Sequence, residues 1–142
     1  MWVTIALLAC AGEKILDTAV EPPQQSSMLA DWTGTLVAGG ELRWLIEGVV
    51  PSNTAVVISY EVTGSAEIDV TLFPGTGDGN AIWGGTFEDV ITHEKMISCD
   101  EEICNFSYVT KAIHVAGSLD VAFQLAVYND LEASAALVTL VD

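Results

Sequence analysis

From Asp31 onward, apolar residues recur at every second position, the spacing of strands that bury one face. Val56, Ile58, Tyr60 and Val62 point one way, and Val57, Ser59 and Glu61 the other. Ala66, Ile68, Val70 and Leu72 then interleave with Glu67, Asp69 and Thr71. Thr63-Gly64-Ser65 between these runs predicts a tight antiparallel hairpin. Leu119, Val121, Phe123, Leu125 and Val127 alternate with Asp120, Gln124 and Tyr128. Weaker alternation predicts strands over 32–37, 42–49, 87–92, 104–115 and 135–141. The last is apolar on both faces, as a central strand would be. Gly39-Gly40, Pro51-Ser52-Asn53, Gly84-Gly85, Gly117-Ser118 and Asn129-Asp130 punctuate these runs. No segment follows a 3.6-residue period. The expected fold is therefore all-β: an antiparallel β-sandwich of about eight strands, immunoglobulin-like or jelly-roll in style. Within 31–142 the two cysteines, Cys99 and Cys104, are closely spaced with no tryptophan between them, which excludes an antibody-type domain.

Charge narrows the partners. The chain carries 20 acidic and 4 basic residues. Setting aside Glu13, Lys14, Asp17 and Glu21 leaves 17 acidic and 3 basic residues from Asp31 onward, a net charge of −14. Arg43, Lys95 and Lys111 are isolated from one another, whereas phosphate binding needs clustered cations. Nucleic acid is thus excluded as a partner, and an anionic lipid surface would repel the folded part within a Debye length of about 8 Å. Hydrophobic residues make up 51% of the chain, enough to fold despite that charge. The 112 residues from Asp31 to Asp142 suffice for one core, hence one domain at 31–142.

Ahead of that domain, Trp2-Val3-Thr4-Ile5-Ala6-Leu7-Leu8-Ala9 is an apolar run that ends on Cys10. Leu7-Leu8-Ala9-Cys10 resembles the lipobox of bacterial lipoproteins. That resemblance implies a signal-peptide-like segment at 1–9, cleavage before Cys10 and lipidation of Cys10. It also implies an address in the bacterial cell envelope, periplasmic or surface-exposed. The run is too short to span a bilayer, so the membrane would be a partner through lipid alone, and stable anchoring takes more than one acyl chain. No Lys or Arg precedes the run, unlike a usual secretory leader. Residues 10–30 read as a tether, with Pro22-Pro23, Gln24-Gln25 and Ser26-Ser27 favouring extended chain.

If Cys10 carries lipid, Cys99 and Cys104 are left to pair, as expected in an oxidising compartment. The rival reading is a zinc site from His93, Cys99, Cys104 and His114, although Cys-x4-Cys is loose for a zinc knuckle. Asp100-Glu101-Glu102 reads first as a solvated tip. The glycine-rich stretch from Gly75 to Gly85 offers a calcium or ligand loop built from Asp78, Asn80 and Trp83, with Glu88 or Asp89. Ile82 stands where an EF-hand would need a ligand. Trp83 is either a packed rim residue or an exposed stacking platform; Trp44, beside Leu42 and Ile46, belongs to the core.

Catalytic signatures are missing. His93-Glu94-Lys95-Met96-Ile97 has isoleucine where a zincin helix needs its second histidine, and no nucleophile elbow, P-loop or dinucleotide fingerprint occurs. The expectation is a non-enzymatic envelope lipoprotein whose sandwich is a binding or structural module for a protein or glycan. The alternative is a calcium-dependent carbohydrate-binding module, with Ca2+ the one cofactor the sequence suggests.

Overall fold

A computed structural model describes residues 28–75, 79–129, 131 and 133–141. The lipobox, the Cys10 attachment point and Asp78 lie outside the described residues. Nine strands are described: β1 Met28–Leu36, β2 Glu41–Pro51, β3 Thr54–Thr63, β4 Glu67–Pro74, β5 Trp83–Phe87, β6 Val90–Ile97, β7 Ile103–Ala116, β8 Val121–Tyr128 and β9 Ala135–Val141. They form two antiparallel sheets, ordered β1-β8-β3-β6 and β5-β4-β7-β2-β9. The chain is an all-β sandwich.

The pairings are nested: β1 with β8, β2 with β7, β3 with β6, and β4 with β5. A ribbon doubled back on itself between β4 and β5 and then rolled up gives this order. The topology is that of a jelly roll, with β9 added beside β2. Apart from the β4–β5 hairpin, every connection between consecutive strands carries the chain from one sheet to the other.

The expected β3–β4 hairpin is therefore not formed. β3 pairs with β6 and β8, and β4 with β5 and β7, in opposite sheets. The faces are nevertheless as the alternation predicts: Val56, Ile58 and Tyr60 on β3 and Ile68, Val70 and Leu72 on β4 are fully buried. They enter one core from opposite sheets instead of lying side by side, and alternation reads the same in either arrangement. Gly64 makes the crossing with φ of +130°, and a Cβ there would lie 2.9 Å from Val121.

The remaining departures follow from the same rolling. The single strand expected over 87–92 is two, β5 and β6, split at Glu88-Asp89 as the chain changes sheets. Leu119 stands outside β8 and is exposed. The sandwich begins at Met28, inside the expected tether. β9 is an edge strand, not a central one; its apolar faces are only half covered.

Aromatic residues fill the middle of the core. Trp44 is fully buried, stacks on Phe123 at 5.4 Å and meets Trp32 edge-on at 5.2 Å. Among the described residues, one buried polar link joins the two sheets. The Thr110 hydroxyl donates to the Thr71 carbonyl at 2.8 Å, so its lone pair accepts from the Tyr60 hydroxyl at 2.7 Å. Burial pushes the Tyr60 phenol well above the usual tyrosine range.

Candidate functional site

Antiparallel nesting gathers the connections at two poles. The near pole holds Met28, the β2–β3 turn, the β6–β7 connection and Asn129. The far pole gathers the sheet crossings at 37–40, 64–66, 88–89 and 117–120.

At the near pole, Cys99 and Cys104 are joined as a disulfide with Cα atoms 5.8 Å apart. This agrees with the expected pairing and removes both thiolates from the rival zinc set. The histidines are also occupied elsewhere. His114 is buried on β7 with Nε2 at 2.9 Å from the Leu119 carbonyl, and His93 stacks on Trp83 from β6. The disulfide loop is bonded to the β2–β3 turn: the Ser52 hydroxyl donates to the Cys99 carbonyl and accepts from its amide, both at 3.1 Å. The Ser52 amide also donates to the Glu102 carbonyl at 2.8 Å. Asn53 holds the turn in the left-handed region, with φ of 65°, and its carboxamide oxygen accepts from Ser98 at 2.8 Å. Asp100, Glu101 and Glu102 stay exposed at the tip.

Buried Asn129 fastens the next connection. Its amide nitrogen donates to the Ala55 carbonyl at 2.7 Å, while its oxygen accepts from the Leu131 amide and the Ser134 hydroxyl. Alternation cannot find such a residue. Only its place in an Asn-Asp turn marked it.

Of the calcium set, Asp78 lies outside the described residues, and the described carboxylates are not beside Asn80. Asn80 precedes β5 near its Trp83 end, whereas Glu88 and Asp89 follow its other end at the far pole. A five-residue strand separates its ends by roughly 13 Å, beyond the reach of one coordination shell. Among the described residues, no group of three His, Cys, Asp or Glu side chains converges on one point. Trp83 is half-buried against the core and lies near-parallel to both Tyr60 (5.8 Å) and His93 (4.6 Å). It closes the side of the sandwich between β5 and β6, so its rings are engaged in packing. Burial lowers the His93 pKa, Lys95 lowers it further, and Glu94 opposes them.

The far pole presents a different chemistry. Val37, Val115 and Leu119 are 52%, 50% and 66% exposed. Their turns are tied together: the Ala38 amide donates to Asp120 Oδ1 at 2.9 Å, and the His114 amide to the Gly40 carbonyl at 2.9 Å. Glu67, Glu88 and Asp89 lie on or beside the neighbouring crossings. Exposed apolar side chains thus share this row of loops with carboxylates, Asp120 among them. The sequence places Leu119 on a buried strand face, so this patch is not legible without the turn geometry.

A third surface lies on the outer face of the five-stranded sheet. A shallow depression of about 640 Å³ is floored by Glu47, Val49, Asn105, Ser107, Ala135 and Leu137. It borders β9.

No protein-family model matches the chain, and no curated protein matches it. Among solved structures, it is similar to the crystal structure of the Yersinia pseudotuberculosis-derived mitogen. The identity is 13% over 77% of this chain and 94% of that one, with a TM-score of 0.49.

Proposed function

We propose that this protein is a non-enzymatic, lipid-anchored module of the bacterial cell envelope that binds a protein partner through its far pole. The observation that carries the reading is the opposition of the two ends. The chain enters the sandwich at the near pole, at Met28, and the exposed Val37, Val115 and Leu119 stand at the other. A module held at one end meets partners with the opposite end. The resemblance of Leu7-Leu8-Ala9-Cys10 to a lipobox supports the anchor, and the Cys99–Cys104 disulfide is what an oxidising compartment favours. Carboxylates beside an apolar knob fit a partner surface with an apolar recess flanked by Lys or Arg.

Two experiments test this reading. Metabolic labelling with an alkyne fatty acid should mark the wild-type protein and not Cys10→Ala. A photo-crosslinking residue at Leu119 should then trap a protein adduct in intact cells that the same residue at Ser59, on the outer face of β3, does not. Absence of lipid on the wild-type chain removes the anchor. Equal adducts, or none, at both positions remove the far-pole interface.

A further inference from the structure

Two turns at the far pole are held by one buried residue. The main-chain amide of His114 on β7 donates to the Gly40 carbonyl, and its ring Nε2 lies 2.9 Å from the Leu119 carbonyl. The 37–40 turn closes on itself, the Gly40 amide donating to the Val37 carbonyl at 2.8 Å, with Gly39 at φ of +73°. That positive φ at the third position of a β-turn favours glycine. Asp120 Oδ1 accepts from the Ala38 amide and ties the second turn to the first. Val37 and Leu119 are thus exposed on a fixed frame, and a carboxylate is held beside them.

The other side of the pole repeats this pairing of apolar and acidic groups. Val90, 52% exposed, follows Glu88-Asp89, and the Asp89 carbonyl accepts from the Val62 amide at 2.9 Å. Glu41 and Glu67 open β2 and β4 at the same end. The connections 37–40, 64–66, 88–89 and 117–120 contain no lysine or arginine. Arg43 and Lys111, far apart in sequence, stand opposite each other on the outer face of the five-stranded sheet, with Arg43 already 3.7 Å from Glu41. Lys95 lies opposite Val56, on the near-pole half of β6.

We infer that the far pole binds a cationic amphipathic peptide segment. An apolar side chain of that segment packs on Val37 and Leu119, an adjacent Lys or Arg pairs with Asp120, and a further Lys or Arg meets Glu88 or Asp89. This names the partner chemistry of the far-pole interface and rests on that reading. Charge selects the occupant. A second copy of this chain would bring its own net charge of −16, and an anionic lipid or nucleic acid would meet carboxylates. The spacing fits a short segment. The 37–40 turn leaves β1 and the 88–89 connection enters β6, the two edges of the four-stranded sheet. At about 4.8 Å per strand they lie about 14 Å apart, which about four to five extended residues cover. Turns that are already ordered lose little freedom on binding.

The test is fluorescence anisotropy of a short labelled peptide of alternating leucine and lysine, titrated with the full chain carrying Cys10→Ser at about 150 mM salt. Saturable binding is expected, at least about tenfold tighter than for a serine–lysine peptide of equal charge, because apolar burial adds to the attraction of charge. Leu119→Ser, at a 66% exposed position outside the strands, should weaken it about tenfold with an unchanged circular dichroism spectrum. Asp120→Asn keeps an acceptor for the Ala38 amide and removes the charge, so binding should weaken about threefold. Asp100→Asn with Glu101→Gln takes two charges from the near pole and should change nothing. Equal binding of the two peptides, or equal losses from the Asp120 and near-pole variants, would mean general attraction to an acidic protein and overturn the inference. So would the absence of binding. If the peptide fails to bind while the Leu119 crosslink still forms in cells, the far-pole interface stands and only this partner chemistry falls; if both fail, the interface falls too.

Discussion

Replacing the Tyr60 hydroxyl probes the single polar link described between the two sheets. In Tyr60→Phe, the Thr110 hydroxyl keeps its bond to the Thr71 carbonyl and loses only the proton it accepts. The expected cost is that of one ordinary hydrogen bond, about 1 kcal/mol. Thr110→Val is harsher, because it strands the Tyr60 O–H, which is fully buried, with no acceptor. That desolvation costs about 1–3 kcal/mol. In the double variant the phenol is gone and nothing polar from this pair remains unpaired on β3. The double loss should therefore fall short of the sum of the singles by at least about 0.5 kcal/mol. Urea unfolding followed by tryptophan fluorescence supplies all four free energies. Additive losses, or a Tyr60→Phe cost equal to that of Thr110→Val, would refute the assignment of donor and acceptor. The burial of Tyr60 has a pH signature. The folded state holds the Tyr60 phenol protonated above its usual pKa of 10.0, so stability is fully present below about pH 10 and falls as pH rises past it. Tyr60→Phe should flatten that alkaline fall.

Three further outcomes follow from the same geometry. Removing the disulfide with Cys99→Ser and Cys104→Ser should lower unfolding free energy by about 2 kcal/mol in the chain-entropy account of so short a loop; no loss on urea titration would mean the Ser52 bonds alone hold the turn. Gly48→Ala should cost about 1–3 kcal/mol, because its Cβ would fall on the Ala135 carbonyl and the Phe106 ring; a neutral result in thermal melts would show that β9 moves freely. His93, with its pKa lowered by burial, should stay neutral below the ordinary histidine value near 6.5. Its contribution is then present above the unfolded pKa and lost as pH falls below it, and an NMR titration of its ring protons should show a midpoint below that of a model peptide.

Alternation identified the buried faces of β3, β4 and β8 residue by residue, because burial on one side leaves the same two-residue period in any antiparallel fold. It could not tell whether the strands lie in one sheet or two. Val56 to Val62 and Ile68 to Leu72 enter the core from opposite sheets, yet their spacing fits a hairpin equally well. β9 was misplaced for a related reason: residues apolar on both faces suit a central strand, and also an edge that β1 of the other sheet runs alongside. The disulfide was legible from cysteine count and spacing. The exposed trio at the far pole was not, since Val37, Val115 and Leu119 come together only when the ribbon rolls and the 37–40 and 117–120 turns bond to each other.

Mass spectrometry of the N-terminus of native material tests the central claim most directly. An acylated Cys10 at the start of the chain, with Cys99 and Cys104 recovered as one linked peptide, is the predicted result. An intact Met1 followed by an unmodified Cys10 would contradict it.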